Sequence, residues 1–330
     1  MIRIGVSADL SANGSIHQHT FKEAVHMAFD NLRLADLNGQ LVWENDFATE
    51  EGGKNAAQAL LAKHVDFVVG HYASAAAKGA LPYYETSGIP VFLPAATSDV
   101  LTTTYRSAFR TCGKDSDLAR FVSESLGKKP RHKMYIEHDY SAHGFSLFEL
   151  IRKNLEKNEN VVLVDRVDVA EKVLFIGNFA NSVNFLKEID QQNTAISEVY
   201  FTDDLVHPKL PAAVKFTDKK VQVFGYDDNR FFKRANEVCA QYYRKWGSYP
   251  ATYFLETYAA MEIIHQVASE FPADAKILKH LMRKSWDTVL GSLSFDSLGD
   301  SDTAKYALWQ IKDSELISRN VEKFQNLNQF

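Results

Sequence analysis

The sequence predicts an α/β fold of two doubly wound parallel-sheet lobes, on three observations. The chain has 330 residues, more than a single hydrophobic core of about 250–300 residues serves. Short apolar runs alternate with amphipathic stretches of about a dozen residues, the βαβ pattern that gives parallel sheets with right-handed crossovers. The alternation breaks at the polar, basic "GKKPRHK" (127–133) and then restarts, which marks a passage between lobes. The two halves share an architecture without a detectable repeat.

In the first lobe the strands are "IRIGVS", "QLVWEND", "DFVVG", "PVFLPA" and "SAFRT". Between them "TFKEAVHMAFDNLRLA" places Phe21, Val25, Ala28 and Leu32 at helical spacing, and "EEGGKNAAQALLAKH" and "SAAAKGALPYYETSG" read as further helices. Beyond the basic stretch come "KMYIEHD", a helix near 144–156, "NVVLVDRVDV", a helix near 179–190, "SEVYFT" and "VQVFGYD", a second and smaller sheet. Residues 231–284 read as mostly helical: "FFKRANEVCAQYYRKWG", stopped by Gly247 and Pro250, then "ATYFLETYAAMEIIHQVASEF" and "DAKILKHLMRKSW". The end, "LGSLSFDSLGDSDTAKYALWQIKD", offers two short strands around a Gly-Asp turn.

Composition narrows the function classes. With 45% hydrophobic and 24% charged residues, 8 Pro and 16 Gly, this is an ordinary globular chain. A formal charge of -5, with 37 Lys and Arg scattered along the sequence, gives no basic stripe, so nucleic acid is not an expected partner. No apolar stretch reaches the roughly 18 residues that cross a bilayer. The opening "MIRIGVSADL" has no leader features, so we expect either a mature chain restarted with Met or a cytoplasmic protein. Cys112 and Cys239 are too few to distinguish a disulfide from two thiols by count; we read two buried thiols.

Enzyme signals are weak. "HQH" (17–19) lacks the third and fourth ligands of a metal site, and "HDYSAHG" crowds Ser, His and Asp together without separate strands or an oxyanion hole. The glycines form neither G-x-G-x-x-G nor a P-loop. We expect no catalysis, no cofactor and no metal.

In an open parallel sheet, ligands sit beyond the carboxyl ends of the strands. Ser74 and Thr97 occupy such places, after "DFVVG" and "PVFLPA". Helix N-termini there leave N–H groups free for a small carboxylate, and the two hydroxyls add directed donors. The competing reading of Ser74 is a plain N-cap.

At these residues the sequence resembles a family. "DFVVGHYASAAAKGALPYYETSGIPVFLPAATSDVLT", then "FRTCGKDSD", with the opening "IRIGVSADLS" and the late "WDTVLGSLSFDSLGD", is similar to the periplasmic binding proteins for leucine, isoleucine and valine, type I solute-binding proteins of ABC importers. The resemblance spans most of 1–126 and 250–311. It implies a type I periplasmic binding protein fold whose lobes, joined by three hinge crossings, close over an amino acid. The lobes would be 1–119 with 229–304 and 120–228 with 305–330. It further implies that Ser74 and the Ala95-Ala96-Thr97 turn hold the ligand's backbone end. An acidic residue at a strand end of the other lobe, beside a tyrosine, would pair with the ammonium. "VYFTDDLVHP" offers Asp203 and Asp204, the latter the better match, and "FGYDDN" offers Tyr226 and Asp227, so the alignment can be drawn two ways.

The sequence departs from the family pattern at several positions. The usual first-loop aromatic is replaced around Ile16, His17 and His19, Tyr72 stands where a smaller residue is common, and His143-Gly144 replaces Tyr-Gly. These groups would leave hydrogen bonds unmet beside an aliphatic side chain, so a polar or amide-bearing ligand is expected. Asp117 either orients the crossing, touches the ligand or caps a helix. The expected function is capture of a small zwitterion for a membrane permease of an ABC importer in the periplasm. The alternative is a cytoplasmic ligand sensor of the amide-binding type, which would also carry Tyr72 two residues before Ser74.

Overall fold

The computed structural model describes residues 1–12, 14–192, 196–228, 230, 232–270, 277–282 and 284–319. The chain forms two compact units. One comprises Met1–Lys114, Phe232–Val238 and Tyr253–Ala304, the other Asp115–Phe231, Cys239–Thr252 and Lys305–Phe330.

The first unit is built on β1 (Ile2–Ala8), β2 (Gly39–Asn45), β3 (Phe67–Gly70), β4 (Val91–Leu93) and β5 (Ala108–Arg110). They pair in parallel in the order β2-β1-β3-β4-β5. β3, β4 and β5 are buried along their whole length, which is why they read as unbroken apolar runs. The crossovers are α1 (Gln18–Asn31), α2 (Glu50–Ala62), α3 (Ser74–Ser87) and the short α4 (Val100–Thr104). α2 starts where Thr49 accepts the Gly52 N–H and where Glu50 and Glu51 complement the helix dipole. α3 buries Ala76, Ala77, Ala80, Leu81 and Tyr84, and stops at Gly88, whose φ is +68°.

The second unit contains α5 (Asp115–Gly127), β6 (His132–His138), α6 (Ala142–Leu155), β7 (Val161–Val164), β8 (Lys172–Ile176), α7 (Phe179–Gln191), β9 (Glu198–Phe201), α8 (Leu210–Ala213) and β10 (Lys220–Tyr226). The basic 127–133 segment, expected at a passage between lobes, instead links α5 to β6 inside this unit. Next come α9 (Lys233–Trp246), α10 (Phe254–Glu270), α11 (Ile277–Leu281) and the hairpin β11 (Trp286–Thr288) and β12 (Gly291–Leu293), then β13 (Tyr306–Lys312) and β14 (Glu315–Ser318). Residues 274–276 and 283 of the expected "DAKILKHLMRKSW" helix lie outside the described residues.

The second sheet runs β14-β13-β10-β9-β8-β6-β7, with β13 and β14 antiparallel and the rest parallel. It is larger than the first, not smaller as expected. The sequence reading overlooked β8, a short apolar run that periodicity cannot assign, and the chain's last two strands return to this sheet. Cys112 and Cys239 are both buried free thiols, as read.

Candidate functional site

In the first unit the expected residues gather at the carboxyl ends of the parallel strands. Ser74 is the first residue of α3; the N-cap is Ala73, so the plain-cap reading does not hold. The Ser74 hydroxyl instead accepts the Ser98 N–H at 3.3 Å, joining the turn after β3 to the turn after β4. Among the described residues its own proton has no acceptor, and the buried Thr97 side chain makes no hydrogen bond. Two hydroxyl donors therefore stand at adjacent strand ends, beside the N-terminus of α3.

The turn carrying Ala95, Ala96 and Thr97 is held from beneath by Arg110, a fully buried side chain at the end of β5. Its guanidinium donates to the Ala96 oxygen at 2.8 Å, to the Ser98 oxygen at 2.9 Å and to the Asp300 carboxylate at 2.8 Å. Thr102 also donates to Asp300, at 2.9 Å, and Lys114 reaches its other oxygen at 3.2 Å. Burial opposes a charge on Asp300, but Arg110 outweighs it and holds the carboxyl below the usual range. The sequence reading missed Arg110 and Asp300, since nothing local marks a partner so distant in the chain.

Tyr72 sits among rings. It meets Phe21 edge-on at 5.4 Å and Tyr253 at 5.7 Å, and lies parallel to His17 at 6.5 Å. His17, expected in an open loop, is buried at the start of α1.

In the second unit, His143 lies in the first turn of α6, after Ser141 caps the helix by accepting the Gly144 N–H at 3.0 Å. Its side chain is 36% exposed and its Nδ1 is 4.0 Å from Asp115 Oδ1. Burial alone would depress its pKa; the carboxylates of Asp115, Asp203, Asp204 and Asp139 outweigh that and raise it above the ordinary histidine value. Asp203 and Asp204 form the turn after β9, with Asp203 buried. Asp139, after β6, accepts from Ser141, Asn178 and Asn181, which hold its carboxyl below the usual range even though burial works against its charge.

The other expected residues are placed differently. Tyr226, the last residue of β10, is buried against Tyr306. Asp227 accepts from Ser318 at 2.8 Å, tying β10 to the end of β14. Asp117 is neither the cap nor the first residue of α5; it pairs on the surface with Arg120 at 2.5 Å. The acid in "KDSD" that faces His143 is Asp115, which is 2% exposed and whose Oδ1 has no hydrogen-bond partner among the described residues. No spacing rule in the sequence separates the two aspartates.

Comparison with known proteins bears on both units. The family model described as periplasmic binding protein matches residues 1–172. The Leu/Ile/Val-binding protein of Escherichia coli (strain K12) is 26% identical over 309 residues, covering 81% of this chain and 80% of its own. Among solved structures, a branched-chain amino acid transporter substrate binding protein from Streptococcus pneumoniae, in complex with isoleucine, superposes with a TM-score of 0.83 at 16% identity, covering 96% of this chain and 97% of that one. A leucine binding protein from Thermotoga maritima gives a TM-score of 0.82 at 15% identity, covering 97% and 100%. These likenesses establish a shared α/β fold of type I.

Proposed function

This chain belongs to the periplasmic binding protein family, and from that premise we propose that it is a solute-binding protein capturing a small amino acid or amino-acid-like zwitterion. The observation that carries the reading is the pair of hydroxyls, Ser74 and Thr97, whose protons no described protein group takes up. In this reading they and the α3 amides hold the ligand's carboxylate. Asp204, with Asp203 beside it, pairs with the ammonium, and His143 and Tyr72 read a polar or amide-bearing side chain. No bond is made or broken; a ligand that engages both sets of residues shifts the protein toward the form that offers both.

The names of the relatives, which include branched-chain amino acids and a transporter, support an importer role. The proposed partner is then an ABC permease and the proposed location the periplasm. A cytoplasmic sensor of the amide-binding type is the second reading, favoured by Tyr72 two residues before Ser74. A secretory leader in the gene upstream of Met1 would decide for the importer.

The test is a thermal-shift panel of amino acids, amides and short ureas. A ligand at about 100 times its Kd adds roughly 2.7 kcal/mol. At least one compound should stabilise the protein, and Ser74→Ala and Thr97→Val should each weaken that effect. A panel with no hit, or a hit indifferent to both substitutions, overturns the reading.

A further inference from the structure

Directly before Tyr72 lies His71, a residue for which the reading above has no use. It is fully buried, as are Ser7, Asp46 and Tyr84. His71 Nδ1 is 2.8 Å from Asp46 Oδ2, and His71 Nε2 is 3.2 Å from the Tyr84 hydroxyl. The same Asp46 oxygen accepts from Ser7 Oγ at 3.0 Å, and the other accepts the Ala48 N–H at 3.0 Å. Parallel pairing makes the cluster possible: β1 lies between β2 and β3, so the ends of all three strands meet there.

The donors can be assigned. An Asp46 carboxylate has only acceptors to offer, so the hydrogen between it and His71 belongs to Nδ1. In the neutral imidazole Nε2 is then an acceptor, and Tyr84 donates to it. Burial, with the charges of Asp46 and Glu44 adding to it, pushes the Tyr84 phenol well up, so this donor persists across the working pH range. The relay runs Tyr84 to His71 to Asp46, from the last turn of α3 to the residue that follows β2.

We propose that this relay is a positioning device: it fixes the turn 70–74 between β3 and α3, and thereby sets Ser74 against the Ser98 turn. A buried polar chain with every partner supplied holds a single geometry, because any displacement leaves a donor or acceptor unmet away from water. Ring packing holds Tyr72 in the same turn, and the relay acts beside it. Gly70 takes a φ of +119°, open to glycine alone, and Ala73 gives α3 no side-chain cap. His71 and Tyr84 are positioning residues, acting through Ser74 rather than on a ligand. Their importance to function rests on the proposed role of Ser74; their effect on the turn does not.

The test is amide hydrogen exchange on the ligand-free full chain, comparing wild type with Tyr84→Phe, which removes one hydroxyl and keeps the ring. The hydrogen-bonded amides of Ser98 and Ala77 should exchange about tenfold faster or more, the loss of one buried hydrogen bond being read locally. Val6 and Val68 in the first unit, and Val223 and Phe224 in the second, should keep their wild-type rates. His71→Asn, which keeps a donor toward Asp46 and removes the acceptor facing Tyr84, should give the same pattern and serves if Tyr84→Phe does not fold. An unchanged Ser98 amide overturns the proposal, and so does an equal acceleration at Val6 and Val68, which would mark a general loss of stability. Because no ligand is present, an unchanged Ser98 amide in a protein that binds from the panel refutes the positioning role alone, and a panel without hits refutes the functional reading alone.

Discussion

Arg110 and Asp300 stand 190 residues apart in the chain and meet at 2.8 Å beneath the 95–98 turn of the first unit. Asp300→Asn keeps the shape and removes the charge, leaving a buried guanidinium uncompensated. Urea unfolding at pH 7 should show a loss of about 3–5 kcal/mol. The sign with pH follows from the lowered carboxyl. Its contribution is present above the unfolded value of about 4 and is lost as pH falls through the folded one. Wild type and variant should therefore converge in acid.

Glu256, in the first turn of α10 and 6% exposed, behaves in the opposite way. Burial pushes its carboxyl up to about 7. Its contribution to stability is complete below the unfolded value near 4.3 and is lost as pH rises through about 7. Glu256→Gln should match wild type near pH 4.5 and exceed it at pH 8 by up to about 3 kcal/mol in chemical unfolding. Parallel stability curves for the two proteins would refute the assignment.

His143 should titrate above the ordinary histidine value when followed by NMR of its ring protons, because four carboxylates outweigh its burial. Asp115→Asn removes the largest of these and should lower that pKa, whereas Asp117→Asn, a change at a surface pair, should leave it in place.

The two ways of aligning the second unit make different demands. If Asp204 holds the ammonium, Asp204→Ala should weaken binding about tenfold or more, the order expected for a charge-assisted hydrogen bond. Asp227→Ala should lower the melting temperature instead, through its lost bond to Ser318, and leave the ratio of affinities among ligands unchanged. Calorimetric titration with the panel hit separates them; the reverse pattern moves the site to Asp227.

What the sequence disclosed depended on how local each signal was. α2, α3, α9 and α10 were legible because each helical pattern lies within one continuous segment, and α9 carries its stop at Gly247 as well. Ser74 and Thr97 could be singled out because a parallel strand end is a position any sequence can be searched for. β8 was not, since five residues of apolar run look alike in a strand and a buried helix. The supports of the site, Arg110 with Asp300 and His71 with Asp46 and Tyr84, become visible only when strand order brings distant segments together. Asp115 and Asp117 differ solely in which side of α5 they occupy, a fact that depends on where the helix begins.

Gly70 and Gly88 both adopt backbone angles that favour glycine, yet their surroundings differ. A methyl group at Gly70 would lie 2.1 Å from the Ser7 oxygen, while one at Gly88 would meet nothing within 4 Å. A mutational library should thus return glycine alone at position 70 and admit asparagine at position 88. Any redesign of the strand ends of the first unit, whatever it varies around them, must inherit the residue at 70 unaltered.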